Sequence, residues 1–249
     1  MIAAPLHLEP EQQRAEFEPV SPATTQPALS PQPTHGFYPR YVKRILDLLF
    51  ALLVAPLVLL LIGVLALFII AEDRGPIIYR AQRMGWRGQP FIMYKLRTMR
   101  PNAPDLRMPD GSAYSAAADP RQTRVGRRLR RSSLDELPQI LNIIQGQMSF
   151  IGPRPDDLTE AGLYRPEDRP KLLVRPGISG YAQVLGRNAI TWQERLAYDV
   201  IYVQKISFWL DLRIFWQTLL VVVSRRGLYA DQSNPQQLQS EPLNDGRDD

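Results

Sequence analysis

The sequence has no cysteine, and its only two histidines, His7 and His35, lie in a proline-rich N-terminal stretch. The absence of thiols rules out disulfides and fits a cytoplasmic compartment. Beyond residue 36 no imidazole or thiolate is on hand as nucleophile, base or soft metal ligand. Chemistry must come from Asp, Glu, Ser, Thr, Tyr or Lys, and a metal would be a hard, oxygen-bound ion such as Mg²⁺. No apolar run occurs before residue 45, so no cleavable secretory signal is expected.

Both ends of the chain are poor in apolar residues. Residues 1–36 hold seven prolines and one aromatic, Phe17, and residues 230–249 are similarly polar. Such segments bury too little apolar surface to offset their ordering entropy, and both are expected to be disordered tails. The tails carry charges of −3 and −4 against a total of +5, which leaves +12 on residues 37–229. A basic body points to acidic partners: phosphates, nucleic acid or anionic headgroups. Nucleic acid is disfavoured, because the arginines are not interleaved with stacking aromatics.

Residues 48–71 carry no charge at all. As a straight helix they would reach ~36 Å, enough for a hydrocarbon core of ~30 Å. Pro56 interrupts the run and predicts a break at Ala55-Pro56. Both flanks are basic, with Arg40, Lys43 and Arg44 before and Arg74, Arg80, Arg83 and Arg87 after. The positive-inside rule then places both ends in the cytoplasm. A re-entrant helix-break-helix is the expected form, with a single span as the alternative. Lys43 and Arg44 would meet headgroups. Near the other end, residues 206–223 carry Phe208, Trp209, Leu212, Phe215, Trp216, Leu219 and Leu220 at helical spacing. This pattern fits an interfacial amphipathic helix or a core-facing one equally well.

Three groups look like site material. Ile77 to Arg83 and Phe91 to Met99 read as a small antiparallel hairpin, with Lys95 and Arg97 on one face by alternation. Residues 100–120 read as a mobile loop. The second group is Arg130-Arg131-Ser132-Ser133-Leu134-Asp135-Glu136-Leu137-Pro138-Gln139. Ser133 and Glu136 have the spacing of a helix capping box. The same carboxylates, near the positive end of a helix, also suit a nucleophile or an Mg²⁺ ligand acting on phosphate. Spacing does not choose between cap and catalyst. In the third group Arg154 and Arg175 are each held beside proline, and Arg is a natural bidentate phosphate ligand. Gly152, Gly177 and Gly180 would let backbone approach a ligand.

Taken together, these strings resemble the bacterial sugar transferase family, the monotopic phosphoglycosyl transferases. The resemblance runs over about residues 38–229. It includes the basic-flanked apolar run, Tyr94 to Met99, Arg130 to Gln139, Met148 to Pro155, Arg175 to Gly180, and Gly186-Arg187-Asn188-Ala189-Ile190-Thr191-Trp192. It implies a minimal catalytic form that moves a phosphosugar from a UDP-sugar to polyprenyl phosphate (undecaprenyl phosphate), releasing UMP. It further implies a phosphosugar-aspartyl intermediate on Asp135, Mg²⁺ held partly by Asp135, and Glu136 assisting by proton handling or by tuning the metal. Arg130 and Arg154 would hold phosphates, with Lys95, Arg97, Arg175, Arg187 and Asn188 as further substrate contacts. Such an enzyme would start glycan assembly at the cytoplasmic face of the bacterial inner membrane. A second copy of the chain and downstream glycosyltransferases are further candidate partners. The rival reading is a non-enzymatic, membrane-anchored scaffold of polysaccharide assembly.

The expected fold is α+β and predominantly helical. Its expected divisions are an N-terminal tail (1–36), a membrane segment (37–74), a catalytic body (75–229) and an acidic tail (230–249).

Overall fold

The computed structural model describes residues 36–104, 106, 114, 119–185 and 190–224. The two expected tails fall outside the described residues except for Gly36, and the expected loop at 100–120 falls outside them for the most part. A short π-helical turn, Tyr38–Val42, leads into helix α1, Lys43–Asp73. Strands β1, Ile78–Met84, and β2, Pro90–Leu96, follow. Helix α2, Arg124–Arg131, a 3-10 turn, Leu134–Glu136, and helix α3, Gln139–Ile144, come next. The rest comprises β3 (Ser149–Ile151), α4 (Leu158–Ala161), a 3-10 helix (Pro166–Leu173) and β4 (Gly177–Ser179). It ends with α5 (Tyr181–Leu185), α6 (Trp192–Lys205) and α7 (Phe208–Ser224).

The predicted hairpin is present, with β1 and β2 antiparallel in a register that pairs Ile78 with Leu96 and Met84 with Pro90. The second sheet was not foreseen. It is a parallel pair of three-residue strands, β3 and β4, matching Ser149 with Gly177 and Ile151 with Ser179. Its glycines serve backbone packing. A Cβ on Gly177 would lie 2.1 Å from the Gly152 nitrogen, and one on Gly180 would lie 2.2 Å from the Gly152 carbonyl oxygen. Gly152, Gly177 and Gly180 admit one another's backbone.

Helix α1 is long and apolar enough to cross a membrane by length and composition. Helical backbone continues through Ala55 and Pro56, so the expected break is one helix with a proline inside it. A stripe at helical spacing packs on the body along its full length. Ala51, Val54, Ala55 and Val58 share a core with Met93, Ile140 and Ile143, while Ile62, Leu65 and Ile69 share another with Leu96 and Leu129. The opposite face leaves Leu49, Leu53, Leu57, Leu60, Leu67 and Phe68 exposed. Residues 37–74 and the catalytic body therefore have cores in common.

Both polar ends of α1 are tied to this same body. At its start, Asp47 accepts hydrogen bonds from Ser149 Oγ (2.7 Å) and the Phe150 amide (3.2 Å). At its end, the Glu72 carboxylate accepts from the Arg124 (2.7 Å) and Val125 (2.9 Å) amides, satisfying two open N–H groups at the start of α2. Asp73 pairs with both Nη atoms of Arg97.

Helix α7 is apolar on two sides, with Ile214 buried and Leu210 and Phe215 packed in one core on the first and tryptophans exposed on the second. Trp209 is 75% exposed and Leu220 68%, while Asp211 is buried. Each of the two expected readings thus describes one side of this helix: a core-facing side around Ile214, and an exposed side with the tryptophans an interfacial element would present. Asp211 accepts from Lys43 Nζ (2.6 Å), Tyr38 (2.6 Å) and Tyr202 (2.7 Å). This corrects the assignment of Lys43 to headgroups: the ammonium is buried in an ion pair. Arg44 is corrected likewise, since its guanidinium donates to the Ile143 and Ile144 carbonyls (2.7 and 3.2 Å) at the C-terminal end of α3.

Candidate active site

The site is built where α2 ends and α3 begins. Thr123 caps α2 by accepting from the Gly126 amide at 2.9 Å, and the chain reverses at Ser133, whose φ of 56° is left-handed. A non-glycine residue there carries strain of about 1–2 kcal/mol. Ser133 makes no capping bond, so the capping-box reading of Ser133 and Glu136 fails. The reversal instead sends Leu134–Glu136 through a 3-10 turn that buries Asp135.

Glu136 Oε1 lies 2.8 Å from Lys95 Nζ and 3.4 Å from an Arg154 Nη atom. Burial pushes the Glu136 pKa up, but those two cations outweigh it and bring it down to about 2. Asp135 is treated differently by its surroundings. Burial raises its pKa, Lys95 lowers it, Glu136 raises it, and Arg130 and Arg154 lower it; the net direction is up. Among the described residues no hydrogen bond reaches the Asp135 carboxylate. One carboxylate is therefore an anion paired through one oxygen with two cations, and its neighbour is a less stabilised, more basic one.

Arg130 is oriented by its Nε–H bond to Thr98 Oγ1 at 2.9 Å. Gly126 lets the two segments approach, since a Cβ there would lie 2.0 Å from the Thr98 carbonyl oxygen. Beside the carboxylate pair a cleft is lined by Arg83, Met93, Lys95, Gln139, Arg154, Pro155 and Gly177. Arg83 also pairs with Asp157 at 2.7 Å. Arg83 and Gln139 line this cleft although the sequence does not mark them for the site: Arg83 reads as a membrane flank, and Gln139 only as part of its motif.

Asp135, Glu136, Lys95, Arg130 and Arg154 are thus brought together. Others are not. Arg97 is corrected from a substrate contact to a structural tie, because its guanidinium is spent on Asp73 and the Pro76 carbonyl. Its planar group lies over Gly75, where a Cβ would come within 2.5 Å. Arg97→Met is expected to cost about 1.5–3 kcal/mol by removing the charge-assisted hydrogen bonds to Asp73, measured as a lowered Tm. Arg175 is also engaged elsewhere: its Nε donates to the Gly146 carbonyl at 2.8 Å, and its guanidinium stacks 4.6 Å above the Trp86 ring. It joins Arg44 in capping the end of α3. Arg187 and Asn188 lie outside the described residues.

An anion-attracting cleft beside one unengaged carboxylate suits transfer of a phosphate-bearing group. Comparison with known proteins points the same way. The family model for bacterial sugar transferases matches residues 38–225. An uncharacterized sugar transferase, EpsL, from Bacillus subtilis is 39% identical over 74% of this chain and 90% of the relative. A UDP-glucose:undecaprenyl-phosphate glucose-1-phosphate transferase from Caulobacter vibrioides is 40% identical over 75% of this chain and 72% of the relative. The exopolysaccharide production protein ExoY of Sinorhizobium fredii is 40% identical over 75% of this chain and 88% of the relative. The chain belongs to the bacterial sugar transferase family.

Proposed function

We propose that the protein is a phosphoglycosyl transferase that moves a sugar phosphate from a UDP-sugar to polyprenyl phosphate and so starts assembly of a glycan. The observation that carries this reading is Asp135, a buried carboxylate without hydrogen bonds among the described residues, set among Lys95, Arg130 and Arg154. A carboxylate oxygen of Asp135 attacks the β-phosphorus of the donor. The bond from that phosphorus to the oxygen shared with the α-phosphate breaks, and UMP leaves with the electron pair. A phosphate oxygen of the polyprenyl acceptor then attacks the same phosphorus. Asp135 is displaced and regenerated, and polyprenyl-diphosphate-sugar forms. Lys95, Arg130 and Arg154 face the charge that develops on the transferring group. Glu136, with a pKa of about 2, is a poor proton acceptor. Its role in this reading is to hold Lys95 and Arg154 in place.

The donor set fits Mg²⁺. That ion is bound through one or two carboxylates plus substrate phosphates and keeps several waters. Asp135 offers one unengaged carboxylate, and the described residues contain no cluster of three or more side chains that could ligate a metal. The remaining ligand positions would fall to the diphosphate and to water. Bound there, Mg²⁺ would neutralise charge on the diphosphate and on the departing UMP.

The test is a panel of UDP-sugars with polyprenyl phosphate and Mg²⁺, read as UMP. One or more should turn over, with loss on chelation by EDTA and recovery when Mg²⁺ is returned. No turnover with any of them would sink the donor class.

We further place both ends of α1 on the cytoplasmic side of the bacterial plasma membrane, with the exposed apolar face of the helix set into one leaflet. The support is that Lys43, Arg44 and Asp47 at one end and Glu72 and Asp73 at the other bond to the same body. Because the chain lacks cysteine, Phe37→Cys and Tyr79→Cys each introduce a unique exposed label. Neither should react with an impermeant maleimide until the cells are opened. Labelling of one alone from outside contradicts the arrangement.

A further inference from the structure

Lys43 is buried in an ion pair and Arg44 is half-buried against α3, so other cations are better placed to meet the charge of the bilayer surface. Helix α2 has the sequence Arg-Val-Gly-Arg-Arg-Leu-Arg-Arg, five arginines in eight residues. Arg130 turns to Thr98 and the site. Arg124, Arg127, Arg128 and Arg131 recur at spacings of three and four, which places them on one helical face, and all four are exposed. Among the described residues none of them has a carboxylate partner. Like charges at these spacings repel one another. Arg124 also sits at the positive end of the helix, where a cation is least favoured. Such a face is suited to a counter-charge.

Its position says which. The inner side of α2, Val125 and Leu129, packs in one cluster with Ile62, Leu65 and Ile69 of α1. Its first amides are bound by Glu72, at the point where α1 leaves its apolar stretch. The arginine face is therefore carried on a helix that packs against α1 and begins where the apolar stretch of α1 ends. A cationic face held beside a lipid-seeking helix is complementary to an anionic phospholipid surface.

We propose that Arg124, Arg127, Arg128 and Arg131 form a docking face for the headgroups of anionic phospholipids. It holds the catalytic body against the bilayer while Arg130, on the same helix, serves the site. The inference rests on the reading that α1 enters the bilayer.

The test uses the full chain in vesicles of phosphatidylcholine with one third phosphatidylglycerol. Spin-labelled forms of the two lipids report which one neighbours the protein. The wild type should prefer phosphatidylglycerol by at least about fivefold, and the preference should shrink in 1 M salt as charges are screened. Replacing all four arginines by glutamine should bring the ratio near one, whereas replacing all four by lysine should keep most of it. Flotation with pure phosphatidylcholine vesicles checks insertion, and thermal melting checks the fold. A wild type that floats but shows no preference overturns this inference alone, and one that does not float overturns the membrane reading as well. A glutamine variant that keeps the wild-type ratio also overturns it. So does a preference abolished by UDP, which would assign the face to the nucleotide donor.

Discussion

Asp135→Asn is expected to lower sugar-phosphate transfer by about four orders of magnitude or more, the scale seen when a covalent nucleophile is removed. The amide is nearly the same shape as the carboxylate but cannot form the acyl phosphate. The fold should survive. Asp135 is 7% exposed and no hydrogen bond within the described residues depends on its charge. Burying an ionised carboxylate in that condition is unfavourable, and a neutral amide removes the cost. The Tm measured without divalent metal should therefore match the wild type or exceed it. Activity within tenfold of the wild type would assign Asp135 to structure.

Lys171→Met should act in the opposite way, through stability. Lys171 is buried, with its Nζ 2.6 Å from Asp156 Oδ2 and 3.0 Å from Asp199 Oδ2. Asp156 also takes hydrogen bonds from Arg195 (2.7 Å) and Tyr164 (2.6 Å), while Asp199 has no well-aligned hydrogen bond. Burial raises the Asp199 pKa further than Lys171 lowers it, so this carboxylate relies on the ammonium. Removing one partner from a buried ionic cluster costs about 3–5 kcal/mol. In a domain of this size that is a Tm lower by roughly 10 °C. The loss should reach the site too, because Asp156 follows Arg154 and Pro155 directly and its carbonyl accepts from the Met84 amide at 2.9 Å. A Tm within about 2 °C of the wild type would mean that the cluster contributes little.

The uncharged run was legible from its length and composition, the hairpin from two short apolar runs split by Gly85, Gly88 and Pro90, and α7 from one helical period over many residues. The grouping of Asp135, Glu136, Lys95, Arg130 and Arg154 was legible only through the family motifs, since spacing could not tell a helix cap from a catalytic pair. Ser133 illustrates why. A capping box and a left-handed reversal can share one sequence, and the choice depends on how α2 packs before it. The inward turn of Lys43 could not be read either, because its partner Asp211 lies 168 residues away. Basic residues beside an apolar run look like membrane flanks whether they face lipid or protein. Lys95 and Arg97 stand two residues apart near the end of one strand, yet one meets Glu136 and the other Asp73. Strands β3 and β4 are three residues long, too short for alternation to show, and are set by contact between glycine backbones.

The central claim is that Asp135 carries the sugar phosphate between the two substrates. The most direct measurement incubates the enzyme with a UDP-sugar that turns over, in the absence of polyprenyl phosphate, and follows intact mass and UMP together. The account predicts a gain of one sugar phosphate per chain, located by peptide mapping on Asp135, with about one equivalent of UMP released and the adduct discharged when polyprenyl phosphate is added. UMP formed only when the acceptor is present, with no adduct, or an adduct mapped to any other residue, would contradict it.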